Sequence, residues 1–180
     1  MYNNEDELYS ILINMDDISE LCMINKTANK ICHSKQFLID KLEPYKLKPT
    51  YENLMYFNFL AKLADKIQLY VDNTYNSIIF KGPKNSITTL YPAVNNANYY
   101  VLEHKNKNTE YISDDDIISS LIWQLIHSSE YYIYENEEDQ FINYNQKELY
   151  NTLLHLNDIY EEDIEDFENS DEKRLFEQYY

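Results

Sequence analysis

The chain has 180 residues, 44% of them hydrophobic, and a formal charge of −17 from 32 acids against 15 basic residues. That is enough apolar material for a core, so global disorder is excluded, and the length suits one ordinary domain or a small motif plus one domain. No apolar run approaches the ~18 residues that span a bilayer, so no membrane partner is expected, and the acidic start MYNNEDELYS lacks the basic-then-apolar order of a secretory signal.

The charge is unevenly spread. Residues 1–50 hold 8 acids and 6 lysines, and residues 51–108 hold 4 acids and 6 lysines. The other 20 acids lie from Thr109 onward, against Lys147, Lys173 and Arg174. Such a surface repels phosphates, which argues against direct nucleic-acid binding. With one glycine in the chain, no G-x-S-x-G elbow, Walker loop or dinucleotide fingerprint can be written. His33, His104, His127 and His155 fall on separate predicted elements with no H-x-x-x-H pair. The chain is therefore read as non-enzymatic, with no catalytic residues, cofactor or metal. Cys22 and Cys32 sit at mostly apolar positions without a C-x-x-C spacing, which predicts buried free thiols and, by default, a cytoplasmic or nuclear protein. The 19 tyrosines and abundant Asn, Ile and Lys follow A/T-rich codons rather than structure. They fit an A/T-rich genome, such as those of many large DNA viruses of protists or insects or of some unicellular parasites.

In chain order, a first helix is predicted over Glu5–Met15, capped by Asn3 or Asn4 and with Glu5, Asp6 and Glu7 in its first turn, where the helix dipole favours negative charge. Leu8, Ile11, Leu12 and Met15 form a core-facing stripe, and Tyr9 with Ile13 forms a second apolar strip beside it. Tyr9 and Ile13 are expected to stay at least partly exposed. After Asp16-Asp17 the helical period returns at Ile18, Leu21, Cys22 and Ile24, breaks at Asn25-Lys26, and resumes at Ala28, Ile31 and Cys32. Phe37, Leu38, Lys41 and Leu42 make a last short turn before Pro44. A segment of about 40 residues cannot fold alone, so it must dock on something.

DELYSIL, DISELCMINKTANKIC and SKQFLIDKL together resemble an F-box. By that resemblance Leu8, Ile11 and Leu12 match its first helix and Ile18 and Leu21 its second. Ile24, Asn25, Lys26, Ile31 and Cys32 match the third, and Phe37 stands where the family usually has Trp. Asn4-Glu5 replaces the usual Leu-Pro, a dipeptide that is part of the family's adaptor contact. The resemblance implies a substrate receptor that docks onto a Skp-family adaptor of a cullin ubiquitin ligase. The partner-binding residues it suggests, with the second strip added, are Leu8, Tyr9, Leu12, Ile13, Ile18, Leu21, Ile24, Lys26 and Phe37.

Pro44 and Pro49 bracket a connector, and a long helix is predicted from there to about Val71. Its broad apolar face includes Tyr56, Phe57, Leu60, Leu63, Ala64, Ile67 and Val71, with Asn58, Lys62, Asp65 and Asp72 opposite. The period then changes to two. Ser77–Phe80 and Ile87–Tyr91 read as a hairpin with Gly82 supplying a positive φ at the turn, and Tyr99–His104 with Glu110–Ile112 as a second, giving a four-stranded antiparallel sheet. A helix from Asp114 to about His127 opens with a Ser113/Asp116 capping box, and Trp123 lies off its apolar stripe as a rim or contact residue. Tyr131–Tyr134 and Phe141–Tyr144 suggest a further hairpin, and a last amphipathic helix spans Gln146 to about Tyr160.

The expected architecture is α+β: an F-box-like helical module over 1–48, an antiparallel-sheet domain with flanking helices over 49–160, and an acidic tail over 161–180. The expected function is a non-enzymatic adaptor that recruits an unknown target. The alternative is a structural or assembly component of a large DNA virus particle, found in the host cell or virion, with no ubiquitin role.

Overall fold

The computed structural model describes residues 4–74, 76–94, 98–105, 108–134 and 141–168. The protein is mixed α+β, with helices at the N-terminus and one antiparallel sheet of six strands. The chain divides into two compact units, Met1–Asp65 with Ile112–Ser128, and Lys66–Tyr111 with Ser129–Tyr180. The expected boundary at residue 48 is thus not where the units part. The long helix α5 (Tyr51–Thr74) begins in the first unit, and α6 (Asp114–His127) returns to it from far along the sequence.

In the first unit, α1 (Asn4–Asn14), α2 (Ser19–Ile24), α3 (Lys26–Cys32) and α4 (Lys35–Leu42) follow one another through very short connections. Each break has a local cause. Asp17 Oδ1 accepts from Ser19 N–H and Oγ–H, which starts α2. Asn25 alone separates α2 from α3; its backbone is extended and its Oδ1 accepts from Thr27 and Ala28 N–H at 2.9 and 3.0 Å. Ser34 Oγ caps α4 by accepting from Phe37 N–H at 3.3 Å. Asn58, expected opposite the apolar face of α5, is instead buried and accepts Ile18 N–H on Oδ1 at 3.3 Å. Ile18 follows a break between helices, and its orphan N–H needs an acceptor that no helix supplies.

The two cysteines correct the expectation of free thiols. The chain folds back across Asn25 and brings the Cα atoms of Cys22 and Cys32 to 6.1 Å, within disulfide reach, and the pair is bonded. On α6, Ser113 does not close a capping box through the backbone; its Oγ donates to the Asp116 carboxylate at 3.1 Å. Trp123 stacks on His127 with ring centroids 3.9 Å apart and lies under Lys46 Nζ at 5.4 Å, so its face is used within the unit.

The strands are β1 (Ile78–Lys81), β2 (Ile87–Pro92), β3 (Tyr99–His104), β4 (Thr109–Ser113), β5 (Glu130–Tyr134) and β6 (Phe141–Tyr144), ordered β4-β3-β2-β1-β5-β6, and all but the last two residues of β4 belong to the second unit. The two hairpins and the later pair form one sheet rather than separate pieces, because β1 pairs with both β2 and β5. Ile78 faces Leu90 on one side and Ile133 on the other, and Phe80 meets Tyr131 edge-to-face at 6.2 Å. These buried side chains alternate along the strands, as a sheet with one covered face requires. Gly82 is not the positive-φ residue of the β1–β2 turn: its φ is −100°, while Lys84 and Asn85 both have φ near 58°. The helix α7 (Gln146–Glu168) buries Leu149 and Leu153 and continues past the expected start of the tail at residue 161. Residues 169–180, the rest of that tail, and the expected acidic turn over 135–140 lie outside the described residues.

Candidate protein-docking face

The first helix is amphipathic, but its buried line is narrower than its apolar stripe. Leu12 is fully buried, Leu8 and Met15 are half-buried, and Ile11 is 49% exposed. A groove of about 510 Å³ opens beside them, lined by Glu7, Leu8 and Ile11 from α1 and by Asn25 and Thr27 at the start of α3. Asn4 and Glu5 complete its rim, and Glu5 pairs with Lys30 of α3 at 3.1 Å. Immediately before Asn25, the last turn of α2 presents Met23 and Ile24, 68% and 79% exposed. Three large apolar side chains are therefore left in water on one helical unit, Ile11 on the groove itself and Met23 and Ile24 next to its Asn25 in sequence. An isolated exposed apolar residue needs no explanation, but a group of them does.

The sequence-predicted partner residues divide three ways. Ile24 and Lys26 are exposed, and Leu8 lines the groove. Tyr9, Ile13 and Leu21 are half-buried. Tyr9 is engaged locally: its ring meets Phe37 edge-on at 5.4 Å, and its hydroxyl donates to Asp40 Oδ2 at 2.6 Å. Partial burial, then the Asp40 carboxylate that accepts its proton, push the Tyr9 phenol up to about 12. Leu12, Ile18 and Phe37, in contrast, are buried and are corrected from partner contacts to core. They come from α1, from the residue before α2 and from α4, and side chains so fully buried have no surface left to offer.

Ile11 was expected on the core stripe and Met23 was not singled out. Their signals lie in the sequence all the same. Ile11 belongs to a stripe too wide for one short helix to bury, and Met23-Ile24 directly precede a capping Asn, at the end of a helix whose buried face is carried by Cys22.

The same unit holds a buried lysine. Lys41 on α4 donates its Nζ to Ile13 O at 3.0 Å and to Met15 O, and holds its charge 5.2 Å from the Phe57 ring centroid. The carbonyls are those left unpaired where α1 ends. Burial pulls the ammonium down to about 8, against the opposing attraction of Asp16. The Asp16 carboxyl is itself raised, by burial first, with Lys41 drawing it back.

The second unit has its own concavity, about 540 Å³, where the β1–β2 and β3–β4 turns lie side by side. Lys84, Asn85, Lys105 and the Thr88–His104 pair line it; Thr88 Oγ1 lies 2.9 Å from His104 Nδ1. Two further histidine rings are likewise in structural use, His33 stacked on Tyr51 at 3.9 Å and His127 on Trp123. Among the described residues no three His, Cys, Asp or Glu side chains converge as a metal site would need, and no helix is long and apolar enough to cross a membrane. Compared with known proteins, the chain matches no family model, no curated protein and no solved structure.

Proposed function

We propose that the N-terminal helices are a protein-docking module of the F-box kind, and that the chain is a receptor placing a target protein near a cullin-type ubiquitin ligase. It does no chemistry itself; tethering raises the target's effective concentration at the ligase. One observation carries the reading. Ile11 on the α1–α3 groove, and Met23 and Ile24 just before the groove's Asn25 in sequence, stand exposed within the stretch whose sequence resembles an F-box. The occupant of that face is a Skp-family adaptor, and the target binds elsewhere on the chain. Affinity purification of the tagged protein from its native cells, followed by mass spectrometry, tests this by asking whether adaptor and cullin subunits co-purify.

One observation favours the other reading, a structural or assembly component of a large virus particle. The Cys22–Cys32 disulfide is of a kind that persists at virion and cell surfaces and is rare in the reducing cytosol where ubiquitin ligases work. Copy number in purified particles separates the two, since a structural protein is abundant and a ligase receptor scarce.

A further inference from the structure

The helix α2 is tethered at both ends by different means. At its start Ile18 N–H donates to Asn58 Oδ1, and Asp17 pairs with Lys62 at 3.4 Å, both partners lying on α5. At its end the Cys22–Cys32 bond joins it to α3, supported by Asn29 Nδ2, which donates to Cys22 O at 2.8 Å. Met23 and Ile24 follow Cys22 directly, inside the ring that the bond closes. Helices of 6 and 7 residues do not persist by themselves. The placement of Met23 and Ile24 therefore depends on this end tether more than on the helix that carries them.

We propose that Cys22–Cys32 is a site of reversible thiol–disulfide exchange that locks and releases the corner presenting Met23 and Ile24. The consequence for partner binding rests on the docking reading above; the exchange and its effect on the corner do not. In the reducing direction, a thiolate of a dithiol reductant attacks one cysteine sulfur, the Sγ–Sγ bond breaks, and the other cysteine leaves as thiolate. The reductant's second thiolate then displaces the first cysteine from the mixed disulfide. The reductant ends as a disulfide, and its two protons end on the two cysteine thiols. Both cysteines are fully buried, so exchange proceeds through opening of the C-terminal end of α2, and the closed corner resists it. Once reduced, the thiols remain small apolar groups that suit the same pocket. What is lost is the covalent tether, leaving the Asn29 hydrogen bond to hold that end.

The full-length protein, purified without reductant, is denatured and alkylated before and after dithiothreitol. Neither cysteine should be alkylated until the reductant is added; direct alkylation of both would overturn the proposal at once. Amide hydrogen exchange is then followed on the folded protein. Reduction should speed exchange over residues 22–33 by about tenfold or more while α4 and α5 are unchanged. Cys22→Ala/Cys32→Ala, which preserves apolar packing, should exchange like the reduced wild type and ignore dithiothreitol. Unchanged exchange on reduction would overturn the lock, and so would loss of the whole helical circular-dichroism signal, which would make the bond purely structural. Adaptor capture should differ between the oxidised and reduced protein, and equal capture in both states would overturn the lock as a control on docking. If exchange responds to reduction but no adaptor is captured in either state, the lock stands and the docking reading fails.

Discussion

Lys41→Met isolates the buried charge at the end of α1. Burial pulls the Lys41 ammonium of the folded chain down to about 8, from the 10.5 of an ordinary free lysine. Between those two values the unfolded chain binds one more proton than the folded chain, so raising the pH favours folding. Below the lower value both states are charged and the full burial penalty is present; it is relieved as pH rises through the folded titration. A shift of that size corresponds to about 3 kcal/mol in all, and to about 2 kcal/mol between pH ~7 and pH ~9.5, a range below the ordinary tyrosine titration. Methionine has no charge to lose, so its stability should lack this rise. It also leaves Ile13 O and Met15 O without their donor, which offsets the relief of removing a buried charge. The two proteins should therefore be similar in stability near neutral pH, and the wild type should pull ahead as the pH rises. Urea unfolding followed by fluorescence of Trp123, the sole tryptophan and a member of the same unit, measures both. Parallel pH profiles for the two proteins would refute the account of Lys41.

Leu12→Ala should cost about 2–4 kcal/mol, as truncation of a fully buried leucine does, whereas Ile11→Ala one position earlier should stay within about 0.5 kcal/mol; urea titration separates them, and equal costs would mean α1 is rotated. Asn25→Ala removes the acceptor of two N–H groups at the start of α3 and should cost about 1 kcal/mol, with faster amide exchange at Thr27 and Ala28 as the local readout. Asn58→Ala leaves Ile18 N–H unsatisfied in the core and should cost about 1–3 kcal/mol, measured in the same unfolding assay; a neutral result would show that the Ile18 N–H finds another acceptor.

Local chemistry was the readable part of the fold. The helices of the first unit break at Asp17, Asn25 and Ser34, all short polar residues whose side chains accept backbone N–H groups, and the first two breaks were expected there. The strands came from their period of two, and their limits lie within a few residues of expectation. What depends on three-dimensional pairing was not readable. Nothing local says that β1 takes β5 as a second neighbour, or that α6 belongs with the N-terminal helices. The Cys22–Cys32 bond escaped for the same reason, since a spacing of ten residues becomes a contact only because Asn25 turns the chain back on itself. Asn58 looked like a solvated residue because the period of α5 put it opposite the apolar face; the broken chain end at Ile18 gave it a buried use. In the candidate site, the apolar stripe of α1 was visible but its division was not. Leu12 and Ile11 are adjacent and similar, and only packing decides that one is buried and the other left exposed.

The central claim is that the exposed corner beside the α1–α3 groove binds a Skp-family adaptor. Parallel affinity capture of wild type and Met23→Ser/Ile24→Asp, with Trp123 unfolding run on both, tests it most directly. The wild type should recover adaptor and cullin subunits, and the variant should lose them while its unfolding midpoint stays unchanged, because both side chains are solvent-exposed. Equal capture by the two proteins, or no adaptor with the wild type, would contradict the claim.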